Sequence, residues 1–483
     1  MRARCFAGQD RLPMPRSYWK KALRGVALTT LLTFGGNALL PLPAQAFFFG
    51  GVTLKDEKEM GRKFDVMVRS HMPVIEDPEV SQYVDGIVKR LVKAIPPQPF
   101  TFTSGTILYN ALNAFAVPGG YVYVFSGLIM NLNSESELAG VMAHELAHVT
   151  QRHVASRMER AQFVSVGSLL LAVAGIVIGG PGGGAAAAGA LGAGQAAMLN
   201  YSRADETEAD HIGLQYLIAA GYPPSGMVGG FKVLRQKSWM SGINVPTYLS
   251  THPDLGDRIN GLQARITHMA ASVQGRKVDN TRFRRVQTLL WARYGDEQVA
   301  MQRFSGRDGL ALMGRAIVLA RRNNVPEASR VFDAAVAAAP GDALVLREAG
   351  AFHYRKGDIV KAEKLLRDAI RRDPHDYMAL FFLARLLDES GRASQAAPYY
   401  GDVLRHLPED AEVHEAYARS LGNAGRTADA YRHLTYSAIY GHRKKQAERY
   451  FQQAKERAAT PAEKKALARL ESIYKERKEI WDK

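Results

Sequence analysis

His144-Glu145-Leu146-Ala147-His148 places two imidazoles four residues apart with a carboxylate beside the first. On a helix both rings leave one face and can offer a nitrogen to a single ion, while Glu145 stands ready to move a proton. This is the H-E-x-x-H arrangement that holds zinc and hydrolyses an amide. Two histidines on a mixed helix face can equally be packing residues, so the surrounding sequence has to decide.

The stretch Tyr201 to Asp210 adds Glu206 and Asp210, again at helical spacing. They suit a third ligand and a carboxylate that orients a ligating imidazole. Two His and one Glu leave a coordination position open for water. An acidic helix face in solvent would account for the carboxylates, but not for Ala209, Ile212 and Leu214 beside them. His252, ahead of Pro253, is either a residue of the same site or a histidine capping the next helix. The metzincin pattern is excluded, because it needs Gly at 151 and His at 154, where this chain has Gln151 and Val154. His153 is one residue out of that register and is expected to cap a helix or face solvent.

These residues need a frame. Ser134 with Glu137 three residues on forms a capping box, and Leu138, Val141 and Met142 give the helix an apolar back. Upstream, helices are expected from Thr53 to about Ser70 and from Asp77-Pro78 to Pro96-Pro97, then strands over Thr101–Tyr109 and Tyr121–Phe125. Asn113-Ala114-Phe115 leads through Pro118-Gly119-Gly120 to Val124. This stretch is either a plain β-hairpin or a free edge on which an extended peptide adds as a strand.

Export is read from the first 46 residues: a basic segment ending at Arg24, an apolar run from Val26 to Leu42, and Ala44-Gln45-Ala46 as a cleavage site. Without them the formal charge falls from +16 to +10, with 56 basic against 46 acidic residues. That surplus suits an anionic partner or membrane surface. No nucleic-acid motif accompanies it, and export argues against such a partner. Cys5, the one cysteine, lies in the segment to be removed. Ser165–Ile178 is nearly all apolar and Gly/Ala-rich sequence follows to Gly194. Fourteen residues are short for a membrane span, so 165–194 is expected to be a loop beside the site or a membrane-surface contact.

The last third is periodic: Pro340, Pro374 and Pro408 are 34 apart, as are Ala328, Ala362, Ala396 and Ala430, and Gly357, Gly391 and Gly425. Small residues where paired helices touch, with a proline closing each unit, make the tetratricopeptide pattern. The expected architecture is mainly α with a small β-sheet. An export segment (1–46) precedes a zincin-type metallopeptidase domain (47–272), connecting helices (273–308), an α-solenoid of repeats (309–444) and a helical cap (445–483).

Asn113-Ala114-Phe115 with Pro118-Gly119-Gly120, the H-E-x-x-H run, Ser202-Arg203 with Glu206-Thr207-Glu208-Ala209-Asp210, and Thr251-His252-Pro253 with Arg258-Ile259 together resemble the HtpX, CAAX prenyl protease and Oma family of zinc metallopeptidases. The export segment and repeats make the resemblance strongest to its periplasmic branch. The resemblance implies one Zn2+ held by His144, His148 and Glu206, Glu145 as general base, Asp210 behind a ligand, and His252 able to approach the metal. It implies a gluzincin-like endopeptidase in quality control of outer-membrane proteins, with unfolded or stalled barrel proteins and their assembly machinery as partners. That branch ties its tail to the protease domain through cysteines, which the mature chain lacks, so docking here must be non-covalent. The competing reading is a periplasmic chaperone or adaptor that uses the repeat surface while its metal site is quiescent.

Overall fold

The structure, a computed structural model, describes residues 52–161, 201–240, 248 and 252–481. The expected export segment, 1–46, and the expected membrane contact, 165–194, lie outside them. Among the described residues no helix is long and apolar enough to cross a membrane.

The first half comprises α1 (Leu54–His71), α2 (Pro78–Val92), β1 (Thr103–Ile107), β2 (Ala114–Val117), β3 (Tyr121–Phe125), α3 (Ser126–Asn131), α4 (Glu135–Thr150), α5 (His153–Ala161), α6 (Arg203–Ala219), α7 (Ser225–Met240) and α8 (Leu255–Thr267). Helix α4 is its axis. Ser134 caps it by accepting from Glu137 N, and the Glu137 carboxylate returns one residue earlier than a capping box requires, to Asn133 N at 2.6 Å. Every residue from Leu138 to Val149 is buried, so the helix is covered all round rather than along one stripe. Glycines permit this enclosure: a Cβ on Gly140 would lie 2.5 Å from the backbone of Met227 on α7, and one on Gly213 of α6 would lie 3.0 Å from His144 Cα.

The sheet order is β1-β3-β2, with β1 parallel and β2 antiparallel to β3. Gly119 and Gly120, at φ 85° and 92°, make the β2–β3 turn. The expectation of an edge running from Asn113 to Val124 is therefore corrected. Tyr121–Phe125 is the central strand, occupied on both sides, and the edges of this sheet are β1, bridged by Val74 at Ile107, and β2. The strand order follows from the non-local pairing of β1 with β3. On one face of the sheet Phe64 of α1 meets Phe115 at 5.9 Å between ring centroids and Tyr123 at 6.3 Å.

Next come α9 (Ala271–Gln274), α10 (Thr281–Tyr294) and α11 (Glu297–Arg303). Helix pairs α12/α13 (Gly309–Arg321, Val325–Ala338), α14/α15 (Ala343–Arg355, Ile359–Arg372), α16/α17 (Tyr377–Glu389, Ala393–His406) and α18/α19 (Ala411–Asn423, Thr427–Tyr440) follow, then α20 (Lys444–Arg457) and α21 (Pro461–Trp481). Gly357, Gly391 and Gly425 turn their pairs at φ 86°, 76° and 77°, and Asn323 takes the same role in the first pair at 57°.

Helix α10 joins the two halves. Gln287 donates to the carbonyls of Ile129, Met130 and Leu132, and Trp291 Nε1 to that of Met130 at 2.8 Å. Arg293 pairs with Asp77 at the start of α2 and with Glu348 of α14 at 2.7 Å. Buried Arg347 reaches Glu348, Asp376 and Glu79 at 3.0, 3.2 and 3.5 Å. Charge and packing perform the docking, and no cysteine stands among the described residues.

Candidate metal centre

Helix α4 presents His144 and His148 one turn apart, α6 presents Glu206 from its first turn, and His252 arrives from the segment before α8. All four are buried, and one donor atom of each lies within 4.8 Å of the others. His144 Nε2 is 3.0 Å from His148 Nε2, 3.5 Å from Glu206 Oε2 and 3.4 Å from His252 Nδ1. Glu206 Oε1 is 3.4 Å from His148 Nε2 and 2.8 Å from His252 Nδ1. Ligands about 2.0–2.1 Å from a tetrahedral ion stand roughly 3.3 Å from each other, so the set fits a small divalent cation. Glu145, beside it, is buried with Oε1 free of any hydrogen bond and 3.6 Å from His252 Nε2.

Asp210 lies outside the donor set. Its Oδ1 meets His144 Nδ1 at 3.0 Å, and both carboxylate oxygens accept from Arg258, at 2.8 and 2.7 Å. Arg258 also faces Glu206. His252 does not cap α8, where Asp254 stands at the N-cap. Its ring stacks on Tyr248 at 4.3 Å and on Tyr201 at 5.0 Å, and Tyr201 stacks on His148 at 3.8 Å.

Burial drives the Glu145 carboxyl above its ordinary value against the pull of His252 and His144. Burial likewise holds His148 well below its own, hence neutral. For Glu206 burial is outweighed by His252, His144 and His148, and the carboxyl lies well below its usual range. His144 is pushed up to about 9: burial and Arg258 oppose the rise, but Asp210 and Glu206 prevail. A buried carboxylate facing several imidazole nitrogens is a ready cation site.

Two expectations change here. His153 neither faces solvent nor merely caps: it is buried, with Nδ1 2.8 Å from His148 Nδ1. Arg152, at φ 55°, ends the run of α4 and swings the chain back, so helical register said nothing about residue 153. Asn113 is buried just before β2, and its backbone carbonyl accepts from Phe125 N at 2.9 Å. Ala114 is buried on the strand, and Phe115 packs among Phe64, Tyr123 and Phe125. The outer edge of β2 thus presents backbone groups more than these side chains. Tyr201 and Tyr248 were missed; Tyr201 heads the stretch that carries Glu206, the one signal in its favour.

Residues 77–266 match Peptidase family M48. This segment is an M48 peptidase domain. Behind it, residues 299–343, 313–377 and 353–420 match tetratricopeptide repeats. The chain is 38% identical over 249 residues to the beta-barrel assembly-enhancing protease of Vibrio cholerae, covering 50% of each. With the protein of that name from Escherichia coli K12 it shares 30% over 309 residues, 61% of this chain and 62% of that one. With the mitochondrial metalloendopeptidase OMA1 of Schizosaccharomyces pombe it shares 29% over 224 residues, 44% and 62% respectively. The chain thus spans 50% to 62% of the length of these relatives.

Proposed function

We propose that the chain is an exported zinc metalloendopeptidase of the periplasm that acts on misfolded or stalled outer-membrane β-barrel proteins. The observation that supports this above all is the buried donor set His144, His148 and Glu206 with Glu145 beside it. Two imidazoles and one carboxylate suit zinc with a position left for water or substrate. Zinc held there supplies a Lewis acid that polarises a peptide carbonyl and lowers the pKa of water. Glu145, with an unengaged carboxylate oxygen facing the cluster, takes the proton of the attacking water and delivers it to the leaving amine. Asp210, gripped by Arg258, holds the His144 ring in place through Nδ1.

His252 Nδ1 lies 3.4 Å from His144 Nε2 and 2.8 Å from Glu206 Oε1, so in the resting chain it would occupy the position left beside the three ligands and keep water out. A client would pair in extended form along the edge of β2, and the repeats would hold the remainder of that client. The family match of 77–266 and the names of the relatives support this reading of reaction and client.

The test compares the mature chain with Glu145→Gln for metal content by atomic absorption and for cleavage of casein and an unfolded barrel protein. The expected variant keeps its zinc and cleaves neither substrate. Cleavage near the wild-type rate overturns the assignment. A variant that is inactive in vitro but restores the full cellular phenotype supports the chaperone reading instead.

A further inference from the structure

His148 points Nε2 at the donor set, 3.0 Å from His144 Nε2 and 3.4 Å from Glu206 Oε1. Its second nitrogen, Nδ1, meets His153 Nδ1 at 2.8 Å, and His153 Nε2 lies 3.3 Å from Glu208 Oε2. If Nε2 of His148 carries a lone pair for a cation, the one proton of the neutral ring sits on Nδ1. Nδ1–H then donates to His153 Nδ1, which must accept. The His153 proton is thereby placed on Nε2, where it donates to Glu208. Each proton on this chain is fixed by the one before it.

We propose that His153 is a positioning residue for the metal centre, a neutral acceptor that fixes the tautomer and ring orientation of His148, with Glu208 orienting His153 in turn. The two histidine ligands are then supported by different means. His144 leans on a charged carboxylate clamped by a guanidinium, whereas His148 leans on an uncharged ring backed by a carboxylate about half exposed to solvent. The turn that brings His153 back is itself built: Arg152, in the left-handed region, donates to the buried Glu57 carboxylate at 2.7 Å and to the Val52 carbonyl at 2.6 Å. The start of α1 thereby holds the loop that aims His153 at His148.

The inference rests on the metal-centre reading, and its test separates the two. Zinc affinity is measured by chelator competition on the full chain and on His153→Leu, His153→Gln and Glu208→Gln, with the Tm of each metal-free form as the control for folding. His153→Leu, which cannot accept, is expected to bind zinc about ten- to a hundredfold more weakly. His153→Gln, whose amide oxygen can accept from Nδ1–H, should recover most of the loss, and Glu208→Gln should cost no more than about threefold, because its remaining oxygen still accepts. Long-range 1H–15N spectra of the wild type should show His148 protonated at Nδ1 and His153 at Nε2. Wild-type affinity in a folded His153→Leu, or equal weakness in a folded His153→Gln, overturns the positioning role. Should His153→Leu not fold, the reverse tautomer in the wild-type spectra overturns it instead. A wild-type chain that binds no zinc sinks the metal centre itself.

Discussion

Arg258 holds Asp210 through two hydrogen bonds, and the same carboxylate fixes His144 Nδ1 at 3.0 Å. The arginine therefore bears on the metal site through Asp210 as well as by its direct contact with Glu206. Asp210→Asn keeps the shape but removes the charge that steadies His144 and neutralises Arg258. Zinc retention in equilibrium dialysis should fall about ten- to a hundredfold. Unchanged retention would remove Asp210 from the support of the site.

His252 lies 2.8 Å from Glu206 Oε1, with its other nitrogen 3.6 Å from Glu145. As a plug of the resting site it predicts that His252→Ala raises basal casein cleavage. As a donor to the developing oxyanion it predicts a loss of roughly 10²-fold. The position of Nδ1 among the donors favours the rise. Unchanged turnover in the purified variant would reject both roles.

Glu206 and Glu208 are close in sequence but far apart in consequence. Glu206 is buried among the imidazoles; Glu208 is half exposed and reaches His153. Glu206→Gln should weaken zinc binding by roughly an order of magnitude or more, while Glu208→Gln stays within a few fold. Reversal of that order in the same titration would move the third ligand to Glu208.

Glu348 offers a pH test of the junction. Burial would raise its carboxyl, but Arg293 and Arg347 bring it down to about 2. The folded value lies below the unfolded one, so the stabilisation is fully present above about pH 4.5 and is lost as pH falls towards 2. Its size is about 3 kcal/mol. The gap in Tm between wild type and Glu348→Gln should therefore be widest near neutrality and shrink between pH 4.5 and 3. A gap that stays constant with pH would show that the pair does not hold the two halves together.

What the sequence revealed follows from what is local. His144 and His148 share a helix face, Glu206 and Asp210 share another, and the repeats announce themselves by their period. His153 was misjudged because one left-handed residue, Arg152, breaks the register on which spacing arguments depend. The central place of Tyr121–Phe125 follows from a direct parallel pairing with β1, from which β2 separates it in sequence but not in the sheet. The two Arg293 contacts of the junction join residues 216 and 55 positions apart, beyond the reach of any local pattern.

The Arg293 contact with Asp77 is one of the points through which mechanical load enters the M48 domain. Asp77 caps α2 through Glu79 N at 2.8 Å, so a pull on the repeats reaches the first turn of that helix, while Asn280 at the head of α10 accepts from Glu135 N at 2.9 Å at the start of α4. Farther along, the ligand-bearing helix is gripped by α6 and α7 at Gly213 and Gly140. The repeat array therefore pulls on α2 and on the first turn of α4 alike, and the close contact of Gly140 with α7 stands between that load and the donor atoms of His144 and His148.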